Sequence, residues 1–175
     1  MIRTEEATDV DAIRQVTADA FRHAEHRAPD VDGEPGEAAL VDWLRADAGW
    51  IPELSLVAEL DGSVVGHVVA TRGYVGEWPA LGLGPLSVHP DQQGRGIGSA
   101  LVNELLSRAG RRGETLVALL GDPDYYERFG FRESTWFSVD PPQDEWGRHF
   151  QALTLPAHDP LMSGRFRYAA PFDRL

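Results

Sequence analysis

The sequence predicts an α/β chain built around one sheet, and three observations carry that expectation. Apolar residues at Val10, Ile13, Val16, Ala20 and Phe21 follow a short β-prone start at the spacing of a helix with one buried face. Two β-branched runs, Leu54 to Leu60 and Val64 to Thr71, are joined by Asp61-Gly62, a dipeptide suited to a tight hairpin. A third β-rich run empties into Gln93-Gly-Arg-Gly-Ile-Gly98, which opens directly into another amphipathic helix. At 175 residues the chain is the size of one domain, residues 1–175, and can bury a core without metal or disulfide staples.

Each element has a local cause. Ile2 to Glu6 suits a first strand, and Thr8 or Asp9 can cap the helix that reaches Phe21. His23 to Gly36 is polar and holds Pro29, Gly33 and Pro35, so it reads as a loop fit to line an entrance; a helix over about Glu37 to Ala48 follows. After the hairpin, a loop around Gly73 to Pro79 precedes the third strand, Leu81 to His89. Gly82, Gly84 and Pro85 inside that strand predict a bulge or a missing ladder bond. Leu101, Val102, Leu105 and Leu106 form one face of the helix after the glycine turn, and arginines near its end suit the negative pole of its dipole. Glu114 to Leu120 is a buried strand, Asp122-Pro123 starts a short helix to about Phe129, Phe131 to Val139 is another strand, and His149 to Leu155 is the last.

Composition narrows the chemistry. Asp and Glu outnumber Lys and Arg by 28 to 16, a formal charge of −12, which opposes binding to nucleic acid or anionic membranes and favours a cationic substrate. Cysteine is absent, so disulfides, thiolate metal sites and cysteine nucleophiles are excluded, in keeping with a reducing cytoplasm. Neither a transmembrane run nor a signal-peptide core is present, and a soluble cytoplasmic protein is expected.

The glycine turn is the strongest chemical signal. Gly94, Gly96 and Gly98 let the backbone turn sharply and approach a ligand, and the helix behind them offers unpaired N–H groups and a positive pole, the ingredients of a phosphate site. A P-loop needs a lysine, and this chain has none. A dinucleotide fingerprint needs a third glycine where Ser99 or Leu101 stands. The pattern that fits is Q-x-x-G-x-G at Gln93, Gly96 and Gly98.

Those residues resemble the GCN5-related N-acetyltransferase (GNAT) superfamily, whose signature binds the acetyl-CoA pyrophosphate through backbone amides. Tyr125-Tyr-Glu-Arg-Phe-Gly-Phe131 is similar to the superfamily's downstream Y-x-x-x-G-F segment, and Leu120 to Phe131 with Gly164-Arg-Phe-Arg-Tyr168 resembles the YhbS-like branch. The resemblance implies a mixed, mostly antiparallel sheet flanked by helices, with acetyl-CoA in a gap between two splayed strands. It further implies backbone contacts from Leu86 and Val88, the latter polarising the thioester carbonyl, and a pyrophosphate cradle of Gln93, Gly94, Arg95, Gly96, Ile97, Gly98 and Ser99. Tyr126 aligns with the general acid, and dimers are frequent in the superfamily. Gly121-Asp-Pro-Asp124 departs from the N-x-x-A arrangement of many members, so cofactor contacts made there do not transfer.

The activity expected is acetyl transfer from acetyl-CoA to a primary amine by direct attack in a ternary complex, without metal and without an acyl-enzyme. The alternative is an acyl-CoA sensor or interaction module. Glu25, Glu34, Glu37, Glu77 and Asp122 compete as general base, and each reads first as a surface charge. His67 and His89 read as packing or hydrogen-bonding residues, and His23-x-x-His26 lacks partners for a metal. Trp136, Trp146 and the Gly73 to Trp78 region join the 23–36 loop as expected walls of an acceptor pocket.

Overall fold

Every residue from Met1 to Leu175 is described by the computed structural model. The elements are β1 (Ile2–Thr4), α1 (Val10–Phe21), α2 (Gly36–Arg45), β2 (Ser55–Leu60), β3 (Ser63–Val75), β4 (Trp78–Val88), α3 (Ile97–Arg111), β5 (Leu116–Leu120), α4 (Pro123–Tyr126), β6 (Arg132–Glu133), β7 (Val139–Asp140), β8 (Phe150–Thr154) and β9 (Gly164–Arg167). Strands run in the order β1-β2-β3-β4-β5-β8-β6, with β9 joining β3 to β7. Pairing is antiparallel except at β4–β5 and β7–β9. The mixed, mostly antiparallel sheet is as expected.

Alternation along each strand sorts its side chains between two faces. Leu81, Leu83, Val117 and Leu119 face α3 and pack on Leu101, Val102 and Leu105. On the other face Val57 and Val69 meet α1 and α2 through Ile13, Leu40, Val41 and Leu44, while Ala80, Leu116 and Ala118 meet Phe150, Met162 and Phe166. Gly66 of β3 sets how low α3 sits: a Cβ there would stand 3.0 Å from Leu101 Cδ1 and 3.2 Å from Ile97 Cγ2. The first turn of α3 is thereby pressed onto β3.

The expected irregularity in β4 is real. Val68 pairs with Leu86 but Ala70 with Leu83, so Gly84 and Pro85 together stand opposite Val69. Beyond this bulge β4 leaves its other neighbour as well. It pairs with β5 only at Leu81↔Val117 and Gly82↔Ala118, and a wedge opens between the two strands toward their C-terminal ends.

Three expectations are corrected. Gly73 to Pro79 is the paired end of the β3–β4 hairpin, because Gly73 has no side chain to exclude the Phe166 ring, which would lie 2.6 Å from a Cβ there. Phe131 to Val139 is two short strands split by a helical turn over Ser134–Phe137: the buried Ser134 hydroxyl donates to Val139 O at 2.7 Å, and Ser138 takes φ +60. His149 to Leu155 is not the last strand, since β9 returns to pair with the end of β3.

A buried polar cluster ties the start of the chain to three elements. Arg45 Nε donates to Glu5 Oε1 at 2.7 Å and Ser55 Oγ donates to Glu5 Oε2 at 2.6 Å. Because Ser55 has spent its one proton on an acceptor-only carboxylate, the 2.9 Å contact with His67 Nε2 requires that nitrogen to carry the hydrogen. His67 Nδ1 is buried without a partner, and burial pushes the imidazole pKa down. Burial alone would raise the pKa of Glu5, but hydrogen bonds from His67, Arg45 and Ser55 bring it to about 2. Both groups resist protonation more in the folded chain than in the unfolded one, so both lose stability toward acid. The thermal midpoint should fall as pH drops through about 6.5, where a free histidine charges, and faster below about 4.5 as unfolded Glu5 takes a proton. Glu5→Gln should lower the midpoint at neutral pH and flatten the lower limb in a scan of midpoint against pH.

Candidate functional site

The wedge continues into a cleft of about 470 Å³ between β4, the first turn of α3, the end of α1 and α4. Its floor is backbone. His89 N–H donates to Val65 O at 2.8 Å, so by antiparallel alternation the odd residues of this stretch bond to β3, and the amides of Leu86 and Val88 point into the wedge. Gln93 Nε2 donates to the Val88 carbonyl at 3.1 Å, which caps that acceptor and ties the glycine turn to β4.

The turn itself is a donor cradle. Gly94 and Gly96 take φ +78 and +82, a left-handed backbone that costs other residues about 1–2 kcal/mol each. The first N–H accepted within α3 is that of Ala100, which bonds to Gly96 O at 3.0 Å; those of Ile97, Gly98 and Ser99 have no helical partner. No acidic residue occupies the first turn of α3, although the chain carries −12. Uncompensated N–H groups, a positive dipole end and no competing carboxylate make an anion site.

Leu86, Val88, Gln93, Gly94, Gly96, Ile97, Gly98 and Ser99 all line the cleft. Arg95 is exposed and stands outside the lining. Tyr126 also lies just off it, while Tyr125 and Arg128 line it. The Tyr125 hydroxyl would be 2.9 Å from a Cβ at Gly98, and the Arg128 guanidinium lies 4.3 Å over the Tyr125 ring, its Nε donating to Tyr125 O at 2.8 Å. Ala20, Phe21 and Gln92 complete the wall, the last with its side-chain carbonyl oxygen buried and unpartnered. Their part was invisible in the sequence, because only packing brings the end of α1 beside the glycine turn.

Tyr126 is held from the α3 face of the sheet. Its ring meets Phe131 edge-on at 5.8 Å and would stand 2.6 Å from a Cβ at Gly121. Burial, and then the charges of Tyr125 and Asp122, push its pKa well above the usual phenol value. The proton therefore stays on the oxygen at physiological pH.

None of the carboxylates considered lines the cleft. Glu34 is paired with Arg14, Asp122 caps α4 by accepting from Asp124 N, and Glu25 and Glu77 are exposed. Glu37 differs: it is buried, one oxygen accepts from Ala28 N, the other has no partner, and burial raises its pKa. His67 and His89 make the hydrogen bonds expected of them, His89 accepting from Asp91 N. His23 and His26 are exposed, and no group of three metal-binding side chains occurs anywhere in the chain. Trp136 lines a separate polar groove beyond Arg128, and Trp146 packs against Phe150.

Residues 52–133 match the acetyltransferase (GNAT) domain family. The uncharacterized N-acetyltransferase YjhQ of Escherichia coli K12 is 31% identical over 172 residues, covering 94% of this chain and 89% of its own. The chain belongs to the GNAT acetyltransferases. Within them it is YhbS-like: YhbS of E. coli K12 is 41% identical over 100 residues, 54% of this chain and 58% of YhbS. Crystal structures agree. That of E. coli YhbS in complex with CoA superposes with a TM-score of 0.84 at 30% identity, covering 100% of this chain and 92% of that one. A GNAT family acetyltransferase from Brucella melitensis in complex with acetyl-CoA does so with 0.78 at 37% identity, covering 99% and 97%.

Gly121 tests how tightly this GNAT site is packed. Gly121→Ala places a methyl where the Tyr126 ring lies, 2.6 Å from Cε2 and 3.1 Å from Cδ2, with Phe131 behind the ring. The expected cost is about 1–3 kcal/mol, read as a lower thermal midpoint together with a changed near-UV tyrosine circular dichroism signal.

Proposed function

We propose that the chain transfers the acetyl group of acetyl-CoA to a primary amine by direct attack within a ternary complex. The observation that carries the reading is the continuity of the donor cradle at Gly94–Ser99 with the open backbone edge of Leu86 and Val88. A pyrophosphate fits the first, and the amide-bearing pantetheine arm fits the second, running down the wedge toward Tyr126.

The chemistry follows from what those groups can do. The amine nitrogen adds to the thioester carbon, the carbonyl oxygen takes up negative charge, and the Val88 N–H is aimed to stabilise it. As the intermediate collapses the C–S bond breaks, nitrogen releases a proton, and Tyr126 donates a hydrogen bond to the departing sulfur. A free thiol has a pKa of about 8.5, below that of the Tyr126 phenol, so the phenol keeps its proton in the presence of the thiolate. Its contribution is a hydrogen bond to the thiolate as it forms, with the sulfur's proton supplied finally by solvent. No cysteine is present to carry an acyl group between substrates.

Tyr126→Phe should lower kcat by about 10²-fold or more on a responsive amine, with the affinity for acetyl-CoA within about twofold of wild type, measured by thiol release and calorimetry. Acetyl-CoA binding without turnover on any amine would favour a sensor instead. Because no carboxylate lines the cleft, amine deprotonation falls to water. The rate should then rise with pH along the acceptor's own pKa, and changing to an amine of lower pKa should move the profile by the same interval.

A further inference from the structure

Arg128 is the one cation among the residues that line the cleft. Arginine in this acidic chain is commonly held by a carboxylate, as Arg3 is by Asp9, Arg45 by Glu5 and Arg72 by Glu114. Arg128 is exposed and has no such partner; its one hydrogen bond uses Nε, which donates to Tyr125 O. The N–H groups of both terminal nitrogens are left for a ligand.

The guanidinium is also fixed in place. It lies 4.3 Å over the Tyr125 ring, and that ring meets Tyr126 edge-on at 4.9 Å and Phe129 at 5.6 Å. The Tyr125 hydroxyl reaches the glycine turn, 2.9 Å from where a Cβ on Gly98 would stand. One aromatic ring therefore separates the guanidinium from the first turn of α3, so the cation stands beside the donor cradle and not in it. The unpaired N–H groups of Ile97, Gly98 and Ser99 already serve one anion. On its outer side Arg128 also borders the polar groove of about 580 Å³, which Arg132 and Arg148 share with Glu127 and Glu133. The cleft thus offers two anion positions, one made of backbone and one of a side chain, a ring's length apart.

We propose that Arg128 binds the ribose 3′-phosphate of acetyl-CoA and makes the site selective for thioesters that carry it. The proposal rests on the reading of the cleft as an acetyl-CoA site. Coenzyme A holds two phosphates together as a pyrophosphate and a third on the ribose, set apart from the pair by the sugar. With the pyrophosphate on the glycine turn and the pantetheine arm running inward along Leu86 and Val88, the ribose lies at the exposed mouth, where Arg128 stands. A phosphate monoester there needs a cation that stays charged. Arginine does, and its planar fork can give two N–H groups to one phosphate. Arg95, although it lies within the glycine turn, is outside the lining.

Acetyl-CoA and acetyl-3′-dephospho-CoA differ only in that phosphate. Calorimetry should show the wild-type chain binding acetyl-CoA about tenfold more tightly, the scale of a charge-assisted hydrogen bond at an exposed site, with the difference shrinking at high salt. Arg128→Gln should bring acetyl-CoA down to the affinity of the dephospho compound, whose own Kd stays within about twofold. It should also raise KM for acetyl-CoA and leave kcat unchanged, because the phosphate is remote from the thioester. Arg111→Gln removes the same charge at the far end of α3 and should keep the wild-type preference. Equal binding of the two thioesters by wild type, or a preference that survives in Arg128→Gln, overturns the assignment. So does an equal loss for both compounds, which places Arg128 on the pyrophosphate instead. The acetyl-CoA reading stands in each of those cases; if wild type binds neither thioester, that reading falls and the proposal falls with it.

Discussion

Two parallel strands that pair at only two positions must find other partners for the amides they leave open, and β4 and β5 are such strands. Much of the functional end of the molecule answers that need. The bulge at Gly84–Pro85 bends β4 away from β5 while keeping it on β3. Leu86 and Val88 then present backbone to a cleft instead of to a neighbouring strand, and Gln93 takes one of the carbonyls. On the β5 side the Leu120 amide points away from β8 and toward the diverged β4. An enzyme of this design obtains an open backbone edge by leaving a sheet unfinished.

Placement of α3 completes the site from the other direction. Gly66 lets Leu101 and Ile97 press onto β3, so the helix start is located by core packing and not by the loop alone. The buried faces of Leu101 and Leu105, each worth about 1.5–3 kcal/mol in transfer from water, hold the helix there. Its first turn then keeps its donors for a ligand, in a chain whose acidic residues lie elsewhere. The excess of negative charge does not conflict with an anion site, because local donors and the dipole act within a few ångströms while exposed carboxylates are screened over about 10 Å at moderate salt.

The C-terminal segment contributes more than a cover. β9 pairs with the end of β3, Phe166 fills the space left by Gly73, and Tyr168 fills the space left by Gly82. Missing side chains on the sheet and aromatic rings on the tail are therefore one packing arrangement. Residues after β9 reach the α2 face, where Phe172 meets Leu40 and Leu44, so α2, the sheet and the wedge are mechanically joined.

Local pattern was enough for the elements whose causes are local. The Asp61-Gly62 hairpin, the α3 face, the bulge at Gly84–Pro85 and the glycine cradle all follow from residue types at fixed spacing, and each is present. Where partners distant in sequence decide, pattern failed. Gly73 looks like a loop until Phe166 lies on it, the stretch after Phe131 looks like one strand until the Ser134 hydroxyl takes the Val139 carbonyl, and β9 has no periodicity of its own. The same division holds at the site. By itself the sequence determined the donor cradle and the family, since φ-positive glycines before an amphipathic helix need no tertiary context. Only the tertiary structure decided that Tyr125 and Arg128 line the cleft, that Tyr126 stands off the lining, and that Tyr168 covers Gly82. Which face a side chain reaches depends on how the sheet parts and what packs against it, and that is a property of the assembled layers.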